Sequence, residues 1–140
     1  AGAMNEIERA VVTTLQGDAA VMAIATEICY GAGDIDTAYP FVVLFKQPIS
    51  DSDRYSFNAR AARLQRYVVK AVDGGMSKRR AQQLADAVDA VLTDSNLSLS
   101  GWSWLHCHRV GDIEYQEKLA DGTVAWHVGG VYEIIVGRVT

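Results

Sequence analysis

The sequence has little of what usually marks redox chemistry or a bound metal. Its 140 residues include two cysteines, Cys29 and Cys107, and their separation matches neither a metal-binding spacing nor a redox motif. We interpret both as reduced, buried thiols of a cytosolic protein rather than as a disulfide.

The chain also lacks a long apolar run and an excess of basic residues. The longest apolar run is far shorter than a membrane span, and we expect neither a signal peptide nor membrane association. The formal net charge is −4, so tight binding of duplex DNA through many phosphate contacts is not expected. Ala1-Gly2-Ala3 is typical of an expression-tag remnant (1–3), and we expect a single domain over 4–140.

What the chain does have is enough apolar sequence for a core. Hydrophobic residues make up 49% of it and charged residues 21%, which argues against disorder. Apolar residues at helical spacing after Asn5 predict a first helix, and Asp18 is a candidate cap for a short second one. Short apolar runs predict strands at 27–30, 41–45 and 61–73, with further strands at 96–100 and 102–110.

One amphipathic helix stands among these strands, over 77–93. Its expected buried face consists of Ala81, Leu84, Ala85, Val88, Val91 and Leu92. Strands grouped around helices, without a regular strand–helix alternation, indicate an α+β fold. We therefore expect a mostly antiparallel sheet with N-terminal helices and one main helix packed on it.

The C-terminal part predicts a long hairpin. Asp121-Gly122 is a preferred pair for a two-residue type I′ turn, which would place Leu119 opposite Val124 and Tyr115 opposite Val128. Alternation would then collect one apolar face of Ile113, Tyr115, Leu119, Val124, Trp126 and Val128. The opposite face would carry Glu114, Gln116, Lys118, His127 and Glu133.

The segment 46–60 resists assignment. It is polar at its start and shows no strong period, so we expect a long, mobile loop, and such loops in compact domains are often functional. Tyr55 and Phe57 within it either fold back onto the core or anchor a partner.

Candidate chemistry centres on three histidines. His106 and His108 share a strand face and His127 follows in a later strand, so a metal could in principle span them. No helical histidine pair or CxxC supports this, and Cys107 would point away from both neighbouring histidines. We therefore expect no catalytic residue, metal or cofactor. The open alternative is a small ligand- or metal-binding, enzyme-like domain that uses these histidines.

The order of several segments resembles the tail-completion (tail terminator, or tail-to-head joining) proteins of long-tailed bacteriophages. The resemblance covers nearly the whole chain and is carried by Leu15-Gln16-Gly17-Asp18-Ala19-Ala20, Ile28-Cys29-Tyr30-Gly31, Tyr39-Pro40-Phe41-Val42-Val43-Leu44, Ala81-Gln82-Gln83-Leu84-Ala85-Asp86-Ala87-Val88 with Leu92, Leu97-Ser98-Leu99 and Asp121-Gly122. The chain departs from shorter members at 46–60 and at Trp102 and Trp104.

The resemblance implies a structural role in the virion tail, with assembly in the bacterial cytoplasm. Members form a ring, typically a hexamer, that caps the tail tube and docks to the head connector or head-closure protein. DNA passes through its lumen without specific binding, and subunits can be monomers before assembly. A host-encoded adaptor of a similar tube is the remaining alternative.

The long segment supplies the candidate contact residues. We expect Asp51, Asp53, Arg54, Tyr55 and Phe57 to contact a neighbouring subunit or another partner. The two aromatic residues would gain burial on assembly, and the two aspartates would present negative charge to passing DNA.

Overall fold

A computed structural model describes residues 6–31, 38–47, 52–56, 59–75, 77–94 and 102–138. The helices are α1 (Glu6–Gln16), α2 (Ala19–Met22) and α3 (Arg79–Asp94). The strands are β1 (Glu27–Tyr30), β2 (Phe41–Lys46), β3 (Ser52–Ser56), β4 (Ala59–Gly74), β5 (Trp102–Lys118) and β6 (Val124–Arg138). The predicted α+β class is confirmed.

The strands form one six-stranded sheet in the order β1-β2-β4-β6-β5, with β3 beside β4. The β1–β2 pair is parallel and the remaining pairs are antiparallel. β4 pairs with β2 over 67–72 and with β3 over 59–64. Since β6 occupies the other edge of β4, β2 and β3 lie end to end along one edge of this long strand.

The helices pack on one face of the sheet. The expected buried face of α3 is confirmed at Ala81, Leu84, Ala85, Val88 and Leu92, which are almost fully buried, whereas Val91 is partly exposed. On the sheet side the core is completed by Val42, Leu44, Tyr67, Val69, Ala71, Val128, Tyr132, Ile134 and Val136. The apolar periodicity therefore positions α3 as predicted.

Side-chain caps fix two helix starts. The Asp18 carboxylate accepts a hydrogen bond from the Val21 amide at 3.0 Å, as expected of an N-cap. Ser77 Oγ accepts one from the Arg79 amide at 3.1 Å, and α3 begins at Arg79. Asn5, after which the first helix is predicted to begin, lies outside the described residues.

The opposite sheet face has a smaller apolar cluster made of strand residues. Cys29, Phe41, Val43, Val72 and Ala125 are buried there, with Phe45 packed beside them. Strand alternation along β4 separates the two faces: Tyr67, Val69 and Ala71 join the helix-side core, whereas Val72 joins this second cluster. We call this side the helix-free face.

The predicted register of the C-terminal hairpin is wrong by one residue. Lys118 pairs with Val124 and Tyr115 with His127, because residues 119–123 form a longer loop than the predicted two-residue turn. The Leu119 amide donates to the Thr123 carbonyl at 2.8 Å, and the Asp121 carboxylate accepts from the Thr123 amide at 3.0 Å.

A one-residue shift exchanges the faces of one strand relative to the other. Ile113, Tyr115 and Glu117 therefore share a face with Gly129, His127 and Ala125, and not with Val124, Trp126 and Val128. Glu114, Gln116 and Lys118 pair with that second apolar set, so the predicted apolar face and polar face are both corrected.

The prediction of a structureless loop over 46–60 is wrong for Ser52–Ser56, which form β3, and at its two ends, where Lys46 belongs to β2 and 59–60 belong to β4. β4 is 16 residues long and extends well beyond the end of β2, so its edge at 59–64 would otherwise lack a partner. Backbone hydrogen bonding to that edge gives a polar segment without clear periodicity a regular structure.

β5 is one continuous strand of 17 residues, not the separate shorter strands predicted here. Its register against β6 shifts at two places, between Trp104 and His106 and between Arg109 and Gly111. Such bulges add one residue to a strand without ending it. The predicted strand at 96–100 lies outside the described residues. No helix in the described part of the chain is long and apolar enough to cross a bilayer.

Candidate functional site

The candidate contact segment lies at a sheet edge. Backbone positions Asp53, Arg54 and Tyr55 belong to β3 and pair with Arg63, Ala62 and Arg60 of β4, with a register shift between Arg54 and Tyr55. Asp51 and Phe57 lie outside the described residues, as do the side chains of the other three. Among the described strands, β3 pairs with β4 alone, so its other edge is free.

The three histidines do not form a cluster. His106 pairs with Ile135 and His108 with Glu133, whereas His127 pairs with Tyr115. Glu133 and His127 are six residues apart on β6, a separation of about 20 Å along a strand. Within the described ranges, no group of three metal-ligating side chains comes together.

His127 lies on the helix-free face in a polar network. Its Nε2 is 2.9 Å from Glu117 Oε1, and its ring stacks on Tyr115 with centroids 4.4 Å apart. The imidazole is almost fully buried, and Nδ1 has no hydrogen-bond partner among the described residues. Burial lowers the pKa of His127 below its ordinary value, an effect that the Glu117 hydrogen bond partly opposes.

Lys70 joins this network from the neighbouring strand. Its Nζ donates to Tyr115 Oη at 2.6 Å and lies 5.5 Å above the Phe45 ring centroid. Together these groups border a cleft of about 560 Å³, lined by Tyr39, Phe41, Val43, Phe45, Lys70, Val72, Glu117 and His127. The cleft is largely aromatic and aliphatic. The described residues that line it include no serine, threonine or cysteine, and Tyr39 is the one hydroxyl-bearing residue among them.

The family comparison decides what kind of protein carries this sheet. The family model described as tail completion protein gp17 matches residues 9–129. The chain belongs to this family. The family consists of structural phage tail proteins, and the chain is accordingly a structural component of the phage virion tail.

Solved structures agree on the fold. A chain from the virion of a native gene transfer agent particle is 17% identical, with a TM-score of 0.68 and 92% of each chain covered. A second solved structure is 13% identical, with a TM-score of 0.50 and coverage of 92% of this chain and 90% of the other. No curated protein sequence matches the chain.

A second polar network of this tail completion protein is structural. Tyr132 Oη donates to Asp89 Oδ1 at 2.6 Å, and Arg109 Nη2 donates to the Gly129 carbonyl at 2.5 Å. Arg109 Nη1 also lies 3.6 Å from Asp89, which fastens α3 to β5 and β6. Asp89 lies outside the apolar stripe of α3, yet it is a half-buried acceptor that joins the helix to the sheet.

Cys107 is the thiol nearest to this second network. Burial, with a smaller contribution from the negative charge of Asp89, raises the pKa of Cys107 to about 12. A thiol with such a pKa stays protonated at neutral pH and is a poor nucleophile. This agrees with a packing role for the residue in a structural protein.

Sequence reasoning missed the Lys70–Tyr115–His127–Glu117 network because of the hairpin register. A two-residue turn at Asp121-Gly122 separates Tyr115 from His127, whereas the observed loop pairs them directly. The signal that could have identified it is Thr123, whose hydroxyl donates to Asp121 Oδ1 at 2.6 Å and helps to form the longer turn.

Proposed function

We propose that this protein forms a ring, hexameric as is typical of the family, that closes the end of the phage tail tube and joins it to the head connector. The observation that carries the proposal is the family match over residues 9–129, since it covers both the helices and most of the sheet. The DNA would pass through the lumen of the ring during packaging completion and ejection.

The shape of the sheet supports a ring. A heterologous, head-to-tail interface needs two different surfaces on one subunit, and such contacts close into a ring when the rotation between subunits permits it. The sheet has two different lateral edges, β5 on one side and β1 with β3 on the other. The subunit therefore has distinct surfaces on opposite sides.

The net negative charge of the chain supports a ring that lets DNA pass without binding it tightly. Binding to duplex DNA is dominated by phosphate contacts from lysine and arginine. The chain has 13 of these residues against 17 aspartates and glutamates, so strong overall attraction to DNA is not expected.

The experiment that tests the function is removal of the gene from its phage, followed by electron microscopy of lysates. Filled heads and separate tails that do not join are the expected products, and supplying the protein in trans should restore joined virions. A matched control is the protein with Asp86→Ala, because Asp86 is exposed on α3 and should restore joining normally. Normal yields of infectious virions without the protein would contradict the proposal.

Ring formation is tested separately with purified components. The protein is mixed with isolated tail tubes. Mass measurement gives the number of subunits bound per tube, and electron microscopy shows whether they form a ring at one end. A six-fold ring at one end of each tube is expected. Tubes that remain bare at saturating protein would rule out the capping role.

A further inference from the structure

β5 has a long edge without a partner. It is 17 residues long, and among the described strands it pairs with β6 alone. After the bulge at Arg109 and Gly111, the pairing with β6 is uninterrupted over 111–118. An unpaired edge presents backbone N–H and C=O groups that can template pairing with another chain.

Val110 is an exposed apolar side chain on β5. It is 43% exposed and is the residue that the bulge between Arg109 and Gly111 adds to the strand. The other large hydrophobic residues exposed among the described residues, Tyr39 and Tyr115, border the helix-free face, where Tyr39 stacks on Phe41 and Tyr115 on His127. Single exposed apolar residues are ordinary. Val110 adds apolar surface beside the free edge of β5.

The strand directions fit a head-to-tail continuation. β2, β3 and β6 each run antiparallel to β4, β1 runs parallel to β2, and β5 runs antiparallel to β6. β5 therefore runs opposite to β1 and to β3. If a second copy continued the sheet in the same orientation, its nearest strand would be antiparallel to β5, the arrangement that gives well-aligned hydrogen bonds.

The level of the strands also matches. The pairing register runs from Ile113 through Gly129, Lys70 and Val43 to Cys29 on β1. By the same registers the four residues of β1 lie at the height of 112–115, within the uninterrupted part of β5. The earlier part of β5 lies at the height of β3, since Trp104 connects through Val136 and Arg63 to Asp53.

We infer that β5 pairs antiparallel, through residues within 111–118, with the β1 edge of a second copy of this chain, so that one sheet continues from subunit to subunit. This inference rests on the proposed ring and specifies the surface that builds it. Val110 lies beside each junction. β3 of the second copy is set back from the earlier part of β5 by the width of one strand, because β3 pairs directly with β4 whereas β1 lies beyond β2. Because sheets twist, successive copies rotate relative to one another, which is how a head-to-tail contact can close.

Hydrogen exchange on the unaltered protein tests the backbone pairing. Alternate amides of 111–118 point away from β6 and should exchange rapidly in the monomer. They should become protected in rings assembled on tail tubes, while the β4 and β6 amides stay protected in both states. Rings that form with unchanged exchange along β5 would overturn this interface and leave the proposed function standing. Failure to form any ring would overturn both.

A substitution at Val110 tests the same interface through a side chain. Val110→Asp places a charge at the junction, and it should raise the protein concentration needed for half-maximal assembly by about tenfold or more, equal to about 1.4 kcal/mol. The matched control is Gln83→Asp, which changes an exposed residue of α3 and should leave assembly unchanged. Thermal melts of both monomers verify folding. Equal assembly of the two variants would count against the interface.

Discussion

At the scale of single residues, two adjacent glycines allow β6 to lie between close neighbours. A Cβ added at Gly129 would stand 2.3 Å from the Val69 carbonyl oxygen and 2.5 Å from Lys70 Cα, both backbone atoms of β4. At Gly130 it would meet the Arg109 side chain, whose Nε would be 2.6 Å away. The Arg109 guanidinium can reach the Gly129 carbonyl because this space is empty of side chains.

Gly129→Ala should therefore destabilise the fold. Its new methyl group would meet backbone that cannot rotate aside, so we expect a loss of at least about 1–3 kcal/mol, as for overpacked cores. Denaturant melts measure the loss. Gly111→Ala is the matched control on the adjacent strand, because its Cβ would find Val131 Cβ at an ordinary 4.0 Å. Equal losses in the two variants would show that close approach at Gly129 does not limit the sheet.

His127 should make stability depend on pH. Its pKa is lowered in the folded protein from an ordinary value of 6.5, mainly by burial. Below that ordinary value the unfolded chain takes up a proton that the folded protein resists. The contribution of neutral His127 to the free energy of unfolding is therefore fully present above about pH 6.5. It is lost as the pH falls through the folded-state pKa.

The measurement compares the free energy of unfolding of the protein and of His127→Phe from about pH 8 down to about pH 5. Phenylalanine keeps a ring for stacking on Tyr115 but cannot titrate, so the variant should lose less stability over this range. Glu117 and Lys70 flank the imidazole and remain in both proteins. Parallel curves for the two proteins would show that His127 does not cause the loss.

At the scale of elements, α3 holds the sheet through one stripe of side chains. Leu84 is fully buried, so Leu84→Ala should cost about 2–5 kcal/mol because it removes apolar contacts and leaves a cavity. Asp86→Ala on the exposed side should cost less than about 0.5 kcal/mol. The two are compared in denaturant melts. Similar losses would mean that the helix does not rely on this stripe.

How far the sequence predicts the elements depends on the kind of signal each one carries. α3 and β4 are amphipathic over many residues, so periodicity is sufficient to give their buried faces. β3 has no such pattern at Ser52–Ser56, and the free edge of β4 that pairs with it is a property of the tertiary structure. The hairpin register depended on one loop, where the Asp121 side chain bonds Thr123 and changes the loop length.

Less of the candidate contact segment than of the fold could be predicted from the sequence. Composition singled out the segment that contains Asp53, Arg54 and Tyr55, but only the structure shows that these positions lie at a sheet edge. The long β5 edge was hidden because separate shorter strands were expected there. The family, in contrast, was accessible from the order of segments, since that order survives the register and boundary errors.

At the scale of the whole molecule, the two aromatic residues of the segment 46–60, Tyr55 and Phe57, are predicted to act in assembly rather than in folding. The double change Tyr55→Ala with Phe57→Ala should leave the monomer folded and impair tail completion, because aromatic residues often carry interface energy. Circular dichroism checks folding, and the yield of infectious virions checks function. Normal yields from this variant would contradict the role. The double change Gln82→Ala with Gln83→Ala on α3 is the control.

The length of β4 has a consequence for how such a protein can vary. One half of β4 pairs with β2 and the other half with β3, while β6 pairs along its opposite edge. β3 is therefore an extension on a strand that β2 and β6 already hold in place. Lengthening or shortening the chain between β2 and β4 would then leave the register of β2, β4 and β6 intact. Relatives that fit different tails could change the size of this extension while the shared sheet stays the same, since surface connections tolerate insertion and deletion far better than central strands do.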